Sequence, residues 1–486
     1  MKPPPRVLPF PAASAAPPAT GHTLRLSQVV GALSCALDIT EGQPEGHAAR
    51  SCLIGMEVAR RLKLGDADRS ALFYALQLKD LGCSSNAEKV ARLFGGDELT
   101  VKQDFKTSEW ASLTGSLAYI FRNLKHHGWG GRLKHFARIG VEGQRGARKM
   151  VQIRCERGAA IARLFDLPEA TARAIYDLDE HWDGRGHPEG KRRDAIDPLA
   201  RIAGLAQTVE VFAAEHGIDA ALRIARRRRG RWFDPKVADA FLSIGGDPRF
   251  WAGVYGENLL ANVRAVEPPD RRLHADDDRL DRIALGFAQV VDAKSSWTRR
   301  HSERVTELAV GIAARTGADA DTLRWYRRAA LLHDVGKLGV SSAILDKPGR
   351  LTDDELAAMR RHPEYTHRVL SRIDGFDALA ETAASHHERL DGRGYHRGLT
   401  AADLSAPVRA MVVADMFEAM TAERPYRDTM PFEKVFGILD EDTGTAVCGD
   451  AVAALKDLVA TEGYEPGRLA GVGAEPAGAA ETQRAA

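Results

Sequence analysis

Apolar residues recur at helical intervals over nearly the whole chain. Val305, Leu308, Ala309, Ile312 and Ala313 fall at i, i+3, i+4, i+7 and i+8, the stripe of a helix with one buried side. Gly317 stands where that helix should end. Thr352 and Glu355 have the spacing of a capping box, which predicts a helix starting there and running toward His362. Alternating β-branched runs closed by hairpin turns are scarce, so the pattern predicts an all-α protein.

The pattern also predicts the domain organisation. Pro268 and Pro269 cannot continue a helix, and the polar run from Arg271 to Asp278 suits a solvated connector, placing a linker at 266–279. Pro/Ala-rich residues 1–22 read as a disordered leader and residues 466–486 as a disordered tail. Two halves remain, 23–265 and 280–465, and they resemble each other. The spacing from His47 to Lys79 repeats from His301 to His333. Leu78-Lys79-Asp80-Leu81-Gly82 aligns with Leu332-His333-Asp334-Val335-Gly336, and Asp183-Gly184-Arg185-Gly186 with Asp391-Gly392-Arg393-Gly394. The first half carries extra residues, expected between Gly95 and Met150. The expectation is two tandem helical bundles.

Composition narrows the function classes. Lys plus Arg number 68 and Asp plus Glu 67, a formal net charge of +1, which gives no overall drive toward nucleic acid or anionic membrane. The basic run Arg226 to Arg229, with Arg231, then reads as a solvated helix end rather than a nucleic-acid patch. The five cysteines show no CxxC spacing and read as reduced thiols. No stretch approaches the roughly 20 apolar residues of a membrane span. A cytoplasmic location is expected.

The candidate chemistry lies in the second half. His301, the pair His333-Asp334, His362, the pair His386-His387 and Asp415 are seven ligand-type residues in one ordered stretch. Mixed imidazole and carboxylate donors suit metal ions that activate water, and two such ions clamp a phosphodiester while a water attacks phosphorus. Adjacent ligands at a helix end diverge by about 100° and so serve two ions. A lone His-Asp pair would be an ordinary helix end; the ordered set points to two divalent metals. Lys337, one turn beyond the first pair, is placed to meet a phosphate. Arg424 and Arg427, three apart, suit phosphate forks. His126, His127 and His135 lack suitably spaced acidic partners and read as structural or surface residues. In the first half the aligned positions are Lys79, Arg154, Leu178, Asp179 and Gln207. With only His47 and Asp80 keeping the residue found at the matching ligand position, that half should not hold the binuclear site.

These residues resemble the HD-GYP branch of the HD phosphohydrolases. The matching segments are His333-Asp334-Val335-Gly336-Lys337, Lys347-Pro348-Gly349-Arg350-Leu351-Thr352, His386-His387-Glu388, Asp391-Gly392-Arg393-Gly394-Tyr395 and Arg424-Pro425-Tyr426-Arg427. The resemblance spans roughly Asp281 to Leu458, and the first half looks like a decayed relative. It implies two HD-type bundles and hydrolysis of cyclic di-GMP to pGpG or GMP with iron or manganese. His301, His333, Asp334, His362, His386, His387 and Asp415 would be the metal ligands, with Asp334 bridging. Lys337 would contact the scissile phosphate, and Tyr395, Arg424 and Arg427 the phosphate or guanine. The first half would be regulatory, with signalling proteins or a second copy as partners. Another cyclic dinucleotide or phosphoester substrate, or a non-catalytic signalling adaptor role, is the alternative. Two positions depart from the family: His396 takes the place of the final proline, and Trp297 that of an acidic ligand to a third metal.

Overall fold

The structure, a computed structural model, describes residues 24–94, 98–107, 129–269, 272–295, 298, 300–423 and 429–462. The expected leader and tail lie outside the described residues, as do Arg424, Arg427, Trp297, His126, His127 and the side chain of His135.

The fold is all-α, with a single two-stranded sheet among the described residues. The first half runs β1 (Leu24–Arg25), α1 (Leu26–Thr40), α2 (His47–Arg61), α3 (Asp66–Leu78), α4 (Ala87–Phe94), α5 (Glu98–Thr107), α6 (Trp129–Leu164), α7 (Glu169–Tyr176), α8 (Pro198–His216), α9 (Ile218–Arg228), α10 (Pro235–Leu242), α11 (Pro248–Tyr255) and α12 (Leu259–Val266). The second runs β2 (His274–Ala275), α13 (Asp277–Asp292), α14 (His301–Arg315), α15 (Ala320–Leu332), a 3-10 turn (Val335–Gly339), α16 (Ser342–Leu345), α17 (Asp353–Met359), α18 (His362–Leu370), α19 (Asp377–Ala384), α20 (Ala406–Thr421), α21 (Phe432–Glu441) and α22 (Gly449–Glu462).

Local chemistry sets these boundaries. Asp276 and Asp319 accept from the amides of Arg279 and Thr322 at the starts of α13 and α15, satisfying donors a helix leaves open. The Thr352/Glu355 capping box forms as expected. The helix it starts does not reach His362, however. Pro363 has no N–H for the carbonyl of Met359, so α17 stops at Met359 and α18 restarts at His362.

The stripe on α14 is buried, with Val305, Leu308, Ala309, Ile312 and Ala313 at most 1% exposed. One continuous core runs through both halves. β1 pairs antiparallel with β2 and so ties together the starts of α1 and α13. α1 packs on the Val335–Gly339 turn and on α18 of the second half, while α13 packs on α6 of the first. Phe165 stacks on Phe287 at 5.7 Å across the same seam. Burial of such side chains contributes about 1.5–3 kcal/mol each. Gln28 Nε2 donates to Asp374 Oδ2 at 2.7 Å, and Arg372 donates to Cys35 Sγ at 2.8 Å and pairs with Glu45. The connector is anchored where it begins: Glu267 is buried and accepts from Ser27 Oγ at 2.8 Å and Tyr74 Oη at 2.9 Å. The basic run is not wholly solvated either, because Arg228 is buried with its guanidinium 3.5 Å from the Trp232 ring centroid. No helix among the described residues is long and apolar enough to cross a membrane.

Candidate metal centre

The seven expected ligands converge from five places in the second half. His301 opens α14, His333 and Asp334 follow α15, His362 opens α18, His386 and His387 follow α19, and Asp415 lies on α20. Their donor atoms form groups close enough to share an ion: His301, His333 and Asp415; His362, His386 and His387; and Asp334 with His333 and His386.

Asp334 stands between the first two groups and turns one oxygen to each. Its Oδ2 is 3.3 Å from both His301 Nε2 and His333 Nε2, and its Oδ1 is 3.5 Å from His362 Nε2 and 3.6 Å from His386 Nε2. Asp415 lies 3.4 Å from His301 Nε2 and 3.8 Å from His387 Nδ1.

Helix ends fix the imidazole tautomers. His333, His362 and His386 each sit three residues beyond a carbonyl that meets their Nδ1: Ala330 O at 2.7 Å, Met359 O at 2.8 Å and Ala383 O at 2.7 Å. A carbonyl only accepts, so each Nδ1 carries its proton and each Nε2 presents a lone pair. His362 Nε2 and His386 Nε2 lie 3.0 Å apart and so cannot hydrogen-bond each other in these tautomers. Buried His301 Nε2, His333 Nε2 and Asp334 Oδ1 have no hydrogen-bond partner. Lone pairs converging in a buried space call for an electron-pair acceptor, and the donor set fits divalent metal.

The charge balance agrees. Asp334, Asp415 and Glu418 are buried together, with Lys337 Nζ 2.5 Å from Asp334 and Arg304 paired to Glu418. Burial raises Asp334, but His333 and Lys337 beside it outweigh that and hold its carboxyl well below the usual range. Burial pushes His362 and His387 down to about 3 and His386 well below its ordinary value, which keeps them neutral. His301 goes the other way. Burial lowers it, yet Glu418, Asp334 and Asp415 more than offset this and raise it well above its ordinary value. A metal ion at this centre would place positive charge among the same carboxylates.

Glu418 is a further residue of the centre, beyond the seven ligand positions. Its Oε2 receives His301 Nδ1 at 2.5 Å, which aims Nε2 at the centre. The signal was its place one helical turn after Asp415, matched by Glu210 in the first half, which pairs with His47 and Arg50. Of the other expected site residues, Tyr395 stacks on His387 at 4.6 Å, with the exposed Arg360 guanidinium 5.4 Å from its ring centroid. His396 has φ +101°, a conformation closed to the proline it replaces.

In the first half cations stand where ligands would. Lys79 pairs with Asp80 and Arg154 with Asp179. Glu41, Asp80 and Cys83 come close enough to hold an ion, a group the alignment of the halves did not bring out. Lys79 on Asp80 and Lys102, 3.2 Å from Glu41, already supply positive charge there.

The chain is similar to known proteins. The HD domain family model matches residues 145–237 and 287–449. A Vibrio cholerae protein named 3'3'-cGAMP-specific phosphodiesterase 3 is 42% identical over 437 residues, 90% of this chain and 95% of that one. A cyclic di-GMP phosphodiesterase of Thermotoga maritima is 38% identical over 163 residues, 33% of this chain and 44% of that one. Among solved structures, the V. cholerae cyclic GMP-AMP specific phosphodiesterase V-cGAP3 is similar with a TM-score of 0.64 at 38% identity, covering 91% of this chain and 100% of that one. The chain belongs to the HD-domain family, in its HD-GYP branch.

Proposed function

We propose that the protein is a metal-dependent phosphodiesterase that opens a 3'3'-linked cyclic dinucleotide, with 3'3'-cGAMP as its preferred substrate. The division of Asp334 between two histidine groups carries the catalytic reading. His301, His333 and Asp415 would hold one ion and His362, His386 and His387 the other, with Asp334 shared. Bound there, the metals would supply Lewis acidity that lowers the pKa of a water and offsets phosphate charge. Lys337, partly exposed beside Asp334, would meet a non-bridging phosphate oxygen. Tyr395 restrains His387 and offers an aromatic surface to a base, with the Arg360 guanidinium over its ring. Arg424 and Arg427 are proposed as further phosphate contacts on sequence grounds.

The proposed substrate differs from the cyclic di-GMP that the HD-GYP resemblance implies. The relative whose similarity runs through both halves is named for 3'3'-cGAMP, whereas the T. maritima cyclic di-GMP phosphodiesterase matches a third of the chain. Cyclic di-GMP is therefore the second reading. Chromatography after incubation of the protein, loaded anaerobically with Fe(II) or Mn(II), with each dinucleotide separates them. Faster loss of 3'3'-cGAMP is expected; faster loss of cyclic di-GMP reverses the assignment, and no product from either with folded, metal-loaded protein refutes the function.

A further inference from the structure

The extra segment of the first half reaches into the second half close to Lys337. Glu98, at the start of α5, is fully buried. Its carboxylate accepts from the Ser342 amide at 2.9 and 3.0 Å and from Ser341 Oγ at 2.8 Å. It lies 3.6 Å from Lys294 Nζ, itself 1% exposed. Lys294 Nζ in turn donates to Leu338 O at 2.6 Å, in the 3-10 turn that carries Lys337. Ser342 Oγ closes the cluster on Lys294 O at 3.2 Å. One helical turn further along α5, Lys102 Nζ donates to Cys83 O at 2.8 Å and Thr40 O at 3.3 Å in the first half. A single helix thus holds the degenerate site with one side chain and the turn after Asp334 with another.

We propose that Glu98 is a positioning residue for the catalytic half: through Lys294 it fixes the Val335–Gly339 turn and so the place of the Lys337 ammonium. This rests on the proposed phosphodiesterase reading. A buried lysine needs a counter-charge to stay ionised, and Glu98 supplies one from the other half of the chain. Removing it frees Lys294 to reorient and the turn to loosen, without touching a metal ligand.

The test compares wild type, Glu98→Ala and Glu98→Gln as full chains, by hydrogen exchange without metal and by steady-state hydrolysis of 3'3'-cGAMP with Mn(II). Glu98→Ala should speed exchange in 335–346 while leaving α20 as in wild type, and raise KM about tenfold or more with a smaller change in kcat. Glu98→Gln, which keeps an acceptor for Ser342, should fall between. Unchanged exchange in 335–346, or a uniform rise across both halves with kcat and KM unaltered, overturns the proposal. If wild type itself yields no product, the function reading fails, and the exchange result alone decides whether Glu98 holds the turn.

Discussion

His362 and His386 face each other through Nε2 atoms 3.0 Å apart, while each gives its Nδ1 proton to a main-chain carbonyl. Two lone pairs that close repel unless a cation lies between them. Metal should therefore stabilise the fold: a divalent ion at a hundredfold excess over its Kd adds about 2.7 kcal/mol. Thermal melting with and without Mn(II) should show a rise of several degrees in wild type and little or none in Asp334→Ala, which should also lose turnover while staying folded.

Glu418 aims His301, so Glu418→Gln should weaken metal affinity or activity by about 10–100-fold. Glu210 makes the same contact to His47 in the half whose ligand positions hold cations. Glu210→Gln should leave metal content unchanged. Metal titration of both variants checks the contrast, and equal losses would contradict it.

Gly336 follows the His-Asp pair with no room for a side chain. A Cβ there would sit 1.9 Å from His362 O and 2.7 Å from Thr366 N. Gly336→Ala must push α18 away from the turn, taking His362 out of register with Asp334. A destabilisation of about 1–3 kcal/mol is expected from the overpacking, read as a lowered urea midpoint, together with loss of metal binding.

His396→Pro would restore the family's usual residue, yet it should harm this protein. Proline needs φ near −65°, and His396 sits at +101°. The variant should melt lower and hydrolyse more slowly than wild type, whereas His396→Gly should be tolerated.

His181 sets a pH dependence remote from the metals. It is buried, stacked on Trp232 at 4.0 Å, and burial with Arg228 nearby lowers it to about 3. Unfolded, it titrates near 6.5. Its neutral form is the folded one, so its contribution is present above about 6.5 and is lost as pH falls toward 3. Urea midpoints of metal-free protein should fall between pH 7 and pH 5, and His181→Phe should fall by less.

The sequence by itself determined the helical class, the repeat and the seven candidate ligands. Those signals are local: a 3.6-residue period, adjacent His-Asp and His-His pairs, and a spacing repeated between halves. The Thr352/Glu355 box fixed where α17 starts, but its end came from Pro363 leaving Met359 O to the His362 ring, a three-dimensional exchange of partners. Only the tertiary structure turned the two oxygens of Asp334 toward different histidine groups, brought Glu418 against a residue 117 positions away, and set Glu98 beside Lys294. Apart from the place of Glu418 one turn after Asp415, such contacts carry no period or spacing, because they join segments whose separation along the chain is set by loops and insertions, not by helix geometry. The same holds for the seam: the Pro-rich connector marked a division in the sequence, while packing of α1 on α18 and burial of Glu267 joined the two bundles into one core.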